Sequence, residues 1–420
     1  MKGSVTRKLG KYAALVAIAL AAMMLLASCA SGTSAASSSS SGSSESASAS
    51  SSSASSESAS ASASSASAET SASSESASAS ASSASSESAS ASASSASAEA
   101  SSAAAVDQRR VYVDANWVKS VIDGTQAGYE KAIIAEVVYA PEADATADGY
   151  IPGAIRVFDV DVEDAEGTKE APYNLLAASE VEAKMLAHGI TKDTPVILYG
   201  ADPAGVGRVA YAYLWAGVEN VKILNGGLAA WTVAGYDVEK DLASETAATD
   251  FGTTVPAHPE YWVSMADAKD RLANDANFKL VSIRAEEEWL GKTSGYDYIP
   301  KAGEPEGAVW GKGAKSAADV ADFTNEDGTV KELDGLKEVW ADCDFTLDNH
   351  LSFYCGTGWR ATVPFLVLYQ EGNDNISIYD GGWYEWQMYD ENPVQVGDPA
   401  SSDCKHVTVA DLSDDMAAKK

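Results

Sequence analysis

In 420 residues, 61 acidic side chains stand against 29 basic ones, giving a formal net charge of −32. A surface that acidic repels nucleic-acid phosphates and anionic lipid headgroups, which excludes nucleic acid as a partner. The hydrophobic content of 45% is enough for folded domains, but the first hundred residues cannot belong to them.

Met1 to Lys11 is basic, with Lys2, Arg7, Lys8 and Lys11, and an apolar run follows from Tyr12 to Leu26. This is the order of a secretory signal. Its ending, Leu26-Ala27-Ser28-Cys29, resembles a bacterial lipobox, in which Cys29 becomes the lipidated first residue. Residues 1–29 are therefore read as a lipoprotein signal peptide, and the chain is expected outside the cytoplasm, lipid-anchored to a bacterial membrane. Residues 30–105 are Ser and Ala with a few Glu, and the block near Glu45 recurs from Glu75. With no aromatic or branched apolar side chain to bury, this linker is expected to be disordered. As a flexible coil of about 75 residues it would span on the order of 50 Å. A glycosylated Ser-rich stalk is the alternative.

After residue 105 short apolar strands alternate with helical stretches. Val111–Asp114, Ala132–Val138, Thr194–Gly200 and Val221–Asn225 read as strands, with a helix over Val206–Ala216. Asp237–Val255 reads as a linker. Phe278–Ile283, His350–Tyr354 and Ile376–Asp380 repeat the strand plan. The pattern predicts an α/β chain of two domains, 106–240 and 255–400, each a parallel sheet with helices on both faces, and a tail over 401–420. Leu224-Asn225-Gly226-Gly227 through Trp231 matches Tyr379-Asp380-Gly381-Gly382 through Trp386. The paired glycines suit a positive-φ turn that lets the chain approach a neighbouring loop, with the Trp packed beneath.

Cys355-Gly356-Thr357-Gly358-Trp359-Arg360 follows the strand ending at Tyr354 and precedes the apolar stretch Ala361–Leu368, whose Pro364 suits a first helical turn. Loop N–H groups and the positive end of the helix dipole favour a thiolate at Cys355 and an anion above it. Gly356 and Gly358 are expected to permit the curl. Setting Cys29 aside, Cys343 and Cys404 remain, and in an exported chain these two could form a disulfide. His188, His258, His350 and His406 are isolated, so neither a metal site nor a cofactor is expected.

Taken together these residues resemble the rhodanese family of sulfurtransferases in its tandem-domain form, over about residues 107–400. Gly149-Tyr150-Ile151-Pro152-Gly153-Ala154-Ile155 is similar to a family signature with Tyr in place of His. Leu280–Arg284 resembles the Val-Asp-x-Arg segment with Ser282 in place of Asp, and Pro305–Trp310 a degenerate Pro-Gly-Ala. The loop at Cys355 and Asp380-Gly381-Gly382-Trp383 are the most specific matches. The first domain has Gly200–Gly205 at the loop position and no cysteine, so it is expected to serve as scaffold and cleft wall.

The resemblance implies a double displacement without a cofactor: Cys355 takes a sulfane sulfur from a small donor, then passes it to a thiol or cyanide. Gly356, Thr357, Gly358, Trp359 and Arg360 would hold the sulfur and the departing anion. Arg360 has two readings, a guanidinium for the departing oxyanion or a structural ion pair. Arg284, Asp380, Gly381, Gly382 and Trp383 are supporting residues, Arg284 as a brace. Phosphatases on the same fold separate Cys and Arg by five residues. The four separating Cys355 from Arg360 suit a single sulfur instead. Thiosulfate is the preferred donor and 3-mercaptopyruvate the runner-up, since Glu286-Glu287-Glu288 opposes a keto-acid carboxylate. Lys292, Tyr296, Tyr298 and Trp310 sit on a segment that could overhang the pocket. A membrane-tethered persulfide carrier or sulfur sensor with little turnover of its own is the alternative function.

Overall fold

The computed structural model describes residues 109–138 and 149–419, so the signal segment, Cys29 and the Ser/Ala tract lie outside the described residues. The first half runs β1 (Tyr112–Val113), α1 (Ala115–Ile122), β2 (Ile133–Val138), β3 (Ile155–Phe158), α2 (Ala178–Ala187), β4 (Val196–Tyr199), α3 (Pro203–Ala216), β5 (Val221–Leu224) and α4 (Gly227–Val233). Its strands form one parallel sheet in the order β1-β5-β4-β2-β3. β4 and β5 are buried along their whole length, as Val- and Ile-rich strands covered on both faces must be. α3 starts ahead of the apolar stretch that announces it, because the Asp202 side chain accepts from Ala204 N at 2.9 Å and Pro203 takes the first position.

The second half runs β6 (Trp262–Val263), α5 (Met265–Asn274), β7 (Phe278–Ser282), α6 (Glu286–Trp289), β8 (Glu304–Pro305), β9 (Val309–Trp310), α7 (Leu333–Val339), β10 (His350–Tyr354), α8 (Thr362–Gln370), β11 (Ile376–Tyr379), α9 (Gly382–Trp386), β12 (Pro393–Val396) and β13 (Lys405–Thr408). Its parallel sheet has the order β6-β11-β10-β7-β9, the same topology as the first. The duplicated α/β architecture is thus the one the sequence pattern indicates.

α3 and α8 hold the halves together. Every residue of α3 after Pro203 is buried, as are Thr362 to Leu368 of α8. A helix apolar on all sides needs partners on all sides. Here each is covered by its own sheet on one face and by the other helix on the opposite face. The backbones approach at Gly207, where a Cβ would lie 2.4 Å from Thr362 Oγ1, and Tyr211 meets Phe365 edge-on at 5.1 Å. One buried cluster runs through both halves, from Val209 to Leu366.

Three segments carry structure that the sequence reading left open. The linker is pinned to the first half: Glu239 N donates to Tyr150 O at 2.8 Å, Ala243 N to Ala154 O at 2.8 Å, and Phe251 is buried. Residues 401–419 include a strand and backbone contacts to the second half. β13 pairs antiparallel with β12, which also pairs with β8, and Met416 bridges Ser294 and Pro300 through its backbone. Cys343 and Cys404 are both free thiols, so the disulfide open to them is absent. Cys343 packs at the end of α7 with Sγ against Val339 O at 3.9 Å, while Cys404 lies by Gly397 O at 3.7 Å in the β12–β13 connection. Burial pushes the Cys343 thiol up to about 11, which disfavours its thiolate.

Candidate active site

β10 is the central strand of its sheet, between β11 and β7, and it delivers Cys355 to the carboxyl end of that sheet. Cys355 is a free thiol, only 1% exposed. The loop carbonyls turn toward α9: Trp383 N donates to Cys355 O and Tyr384 N to Gly356 O, both at 2.9 Å. The amides of Gly356, Thr357, Gly358 and Arg360 have no acceptor among the described residues. Four donors left open in the loop that follows a thiol are of the kind that can hold an anion.

The glycines serve different ends. Gly358 adopts φ +85°, and a Cβ there would lie 2.7 Å from Asp380 Oδ1 and 3.0 Å from Arg208 Nη1. Gly356 has no left-handed φ, against expectation; it is needed because a Cβ would fall 2.4 Å from the Tyr296 hydroxyl. Tyr296 therefore lies directly over the start of the loop. Of the Gly-Gly pair only Gly382 takes positive φ, +54°, and its Cβ would meet Cys355 O at 2.5 Å. In the first half Gly227, at φ +57°, approaches Gly200 O in the same way, at 2.3 Å. Gly200 thus stands where Cys355 stands.

These paired sheets, each with a Gly-Gly turn against a strand-end loop, coincide with two matches to the rhodanese-like domain, over residues 115–234 and 264–389. The chain belongs to the rhodanese family. YnjE of Escherichia coli K12, named thiosulfate sulfurtransferase, is 40% identical over 250 residues, 59% of this chain and 56% of YnjE. The chain thus spans a little over half the length of that relative. The YnjE crystal structure superposes with a TM-score of 0.64 at 35% identity, covering 68% of both chains. A Haloferax volcanii protein assigned by name to the same activity is 28% identical over 68% of this chain and 96% of its own. EanB, solved with hercynine, gives a TM-score of 0.65 at 33% identity over 70% of this chain and 71% of EanB. Another EanB structure holds a cysteine persulfide in a tetrahedral intermediate state with ergothioneine.

In this rhodanese, Arg360 is 3% exposed and committed to a bidentate pair with Glu288, at 2.9 and 3.0 Å. Its remaining N–H groups reach Ser316 O and the Tyr296 hydroxyl, each at 3.0 Å, and its Nε has no partner among the described residues. Of the two readings the sequence left, the structure displays the ion pair. Arg284 is fully buried, donating to Glu288, Glu304, Gly303 O and Ser294 O at 2.8–3.1 Å. Glu288 is therefore no free acid opposing a substrate carboxylate. Burial would raise its carboxyl, but Arg360 and Arg284 outweigh that and hold it down to about 2.

Trp383 is buried and donates to Lys301 O. Asp380 accepts from Arg208 Nη1 and from Leu175 N, the latter at 2.7 Å, and so ties both halves beneath the loop. Trp359 donates its indole N–H to Glu163 Oε2 at 2.5 Å, and Arg208 Nε donates to the same oxygen at 2.9 Å. Glu163 and Arg208 belong to the half without a cysteine, and the sequence reading missed both. Arg208 did leave a signal: a lone charge inside an otherwise apolar helix.

The cleft above the loop has a volume of ≈ 860 Å³. It is lined by Thr357, Trp359 and Arg360 of the loop, by Tyr296 and Tyr298, and by Asp159, Glu163 and Tyr173 of the first half, while Cys355 itself is buried and is not among the lining residues. Of the four residues expected to overhang the pocket, only Tyr296 and Tyr298 line it. Trp310 is engaged with Arg284 O, and Lys292 borders a separate hollow near Met416. Among the described residues lining the cleft, Arg360 is the only cation, against Asp159, Glu163, Asp202 and Asp319.

Proposed function

We propose that this rhodanese is a sulfurtransferase that carries a sulfane sulfur as a Cys355 persulfide, from thiosulfate or a similar donor to a thiol or cyanide. The observation that carries the reading is the free thiol at the end of β10, followed by four loop amides with no acceptor among the described residues. The thiolate attacks the outer sulfur of the donor, and the open amides stabilise the charge that collects there. Arg360 shapes the loop through Glu288 and supplies positive potential near it. Steady-state thiocyanate release from thiosulfate and cyanide, compared with 3-mercaptopyruvate and with Cys355→Ser, tests the reading. Multiple turnovers that vanish in the variant support an enzyme; a single slow turnover with stable labelling supports a persulfide carrier instead.

The cleft favours a second reading of the acceptor. Three tyrosines and a surplus of carboxylates suit a quaternary ammonium group better than a dianion. EanB, with its hercynine and ergothioneine complexes, supports this reading. In the EanB persulfide structure, the substituted tyrosine precedes the cysteine by the same number of residues as Tyr296 precedes Cys355. A threonine substituted in another EanB structure follows that cysteine by two, as Thr357 does here. Incubation of the persulfide form with hercynine decides: a thiolated product supports a carbon acceptor, and its absence alongside rapid discharge by thiols excludes one. We further propose, from the lipobox-like segment at Cys29, that the protein is exported and lipid-anchored, with residues 30–105 as tether. Metabolic labelling with a fatty acid, lost in Cys29→Ala, checks this.

A further inference from the structure

The half without a cysteine brings one buried acid to the cleft. Both hydrogen bonds to the Glu163 side chain, from Trp359 Nε1 and Arg208 Nε, fall on Oε2. Oε1 carries neither of these two bonds, and Glu163 lines the cleft. The charged and titratable groups facing it are Arg208 from α3, Asp380 from the end of β11, Asp159 after β3, and Tyr173. Arg208 is the only cation in that set, and it already donates to Asp380 through Nη1. Two carboxylates sharing one buried guanidinium leave one negative charge uncompensated, and such a site binds a proton on the carboxyl with the poorer pairing.

On these grounds, and resting on the sulfur-transfer reading of Cys355, we propose that Glu163 is the proton carrier of the cleft, with its proton on Oε1 in the resting protein. In the donor half-reaction the Cys355 thiolate forms a bond to the outer sulfur of thiosulfate. The S–S bond of thiosulfate breaks, and sulfite departs with the bonding electron pair. Glu163 gives its proton to the outer sulfur, leaving a neutral Cys355 persulfide and an ionised Glu163. In the acceptor half-reaction Glu163 takes the proton of an incoming thiol. The resulting thiolate attacks the outer, protonated sulfur, Cys355 leaves as thiolate, and the acceptor departs as a hydropersulfide. Proton and charge are restored after each cycle. Burial pushes the Glu163 carboxyl up to about 8, with Arg208 and Trp359 opposing, which accords with a protonated resting acid.

Glu163→Gln in the full chain keeps an oxygen for Trp359 and Arg208 but carries no transferable carboxyl proton. Mass spectrometry is expected to find the Cys355 persulfide in this variant after long exposure to thiosulfate, while turnover to a thiol falls by about 10²-fold. In the native protein, kcat/KM for thiosulfate should decline above a pH near 8, where Glu163 ionises; the variant should lack that limb, and Glu163→Asp should recover part of the rate. Infrared spectroscopy of the native protein, by difference against the Gln variant, should show a protonated carboxyl at about pH 6. Turnover in Glu163→Gln within twofold of native with an unchanged pH profile would overturn the proposal. So would an ionised Glu163 at that pH, a readout that holds even if the variant fails to fold. Failure of the native protein to form any persulfide would instead sink the proposed function.

Discussion

The loop after β4 and the loop after β10 occupy the same place in two sheets of the same topology, yet only the second follows a thiol and leaves its amides open. In the first half Gly200–Asp202 leads straight into α3, and Asp202 spends its own carboxylate on Ala204 N. In the second half Cys355–Ala361 intervenes before α8, and among the described residues no side chain caps that helix and four loop amides keep no acceptor. A carboxylate cap and an anion site compete for the same donors, so the first half stabilises its helix with donors that the second leaves uncapped. The first sheet lacks room as well as a thiol: a Cβ at Gly200 would lie 2.7 Å from Val206 Cγ2 and 2.9 Å from Val137 O. What the first half contributes is reach, sending Arg208 and Glu163 beneath and beside its neighbour's loop.

The comparison breaks most severely if that reach is removed. Arg208→Met leaves Glu163 and Asp380 buried without a cation and should cost about 3–5 kcal/mol in denaturant unfolding. Arg208→Lys should fail to rescue it, since a point charge cannot serve both carboxylates and Tyr173 O. Glu288 gives a pH-dependent test on the other side of the loop. Its carboxyl is held down to about 2, so its stabilisation is present above the ordinary carboxylate range and is lost as pH falls toward 2. Glu288→Gln should flatten that acid limb, a difference on the order of 3 kcal/mol between neutral and acid pH. Gly200→Cys should destabilise by about 1–3 kcal/mol through overpacking and should gain no persulfide. Asp202→Ala, the smallest change, should lower stability by about 1 kcal/mol as the cap of α3 is lost, read as a shift in unfolding midpoint.

Features set by short stretches of chain were legible in the sequence. The duplicated α/β plan, the strand–loop–helix around Cys355 and the Gly-Gly turns depend on neighbouring residues, and the structure contains them. The brace of Glu163, Arg208, Asp380 and Trp359 was not legible, because its members lie 172 and 196 residues apart and meet only when α3 packs on α8. Arg360 stayed divided between two roles for the same reason: its partner is Glu288, 72 residues away. Gly356 was assigned to chain curl, when the requirement comes from the Tyr296 ring above it. The sheet of β8, β12 and β13 escaped notice because Glu304–Pro305 is a two-residue edge strand containing proline, too short for any periodicity.

The most direct test is peptide mass spectrometry of the native protein after exposure to thiosulfate without an acceptor. One additional sulfur on the peptide containing Cys355, removed by cyanide and absent from the peptides of Cys343 and Cys404, is the expected result. An unmodified Cys355, or sulfur carried on either of the other two thiols, would contradict the account.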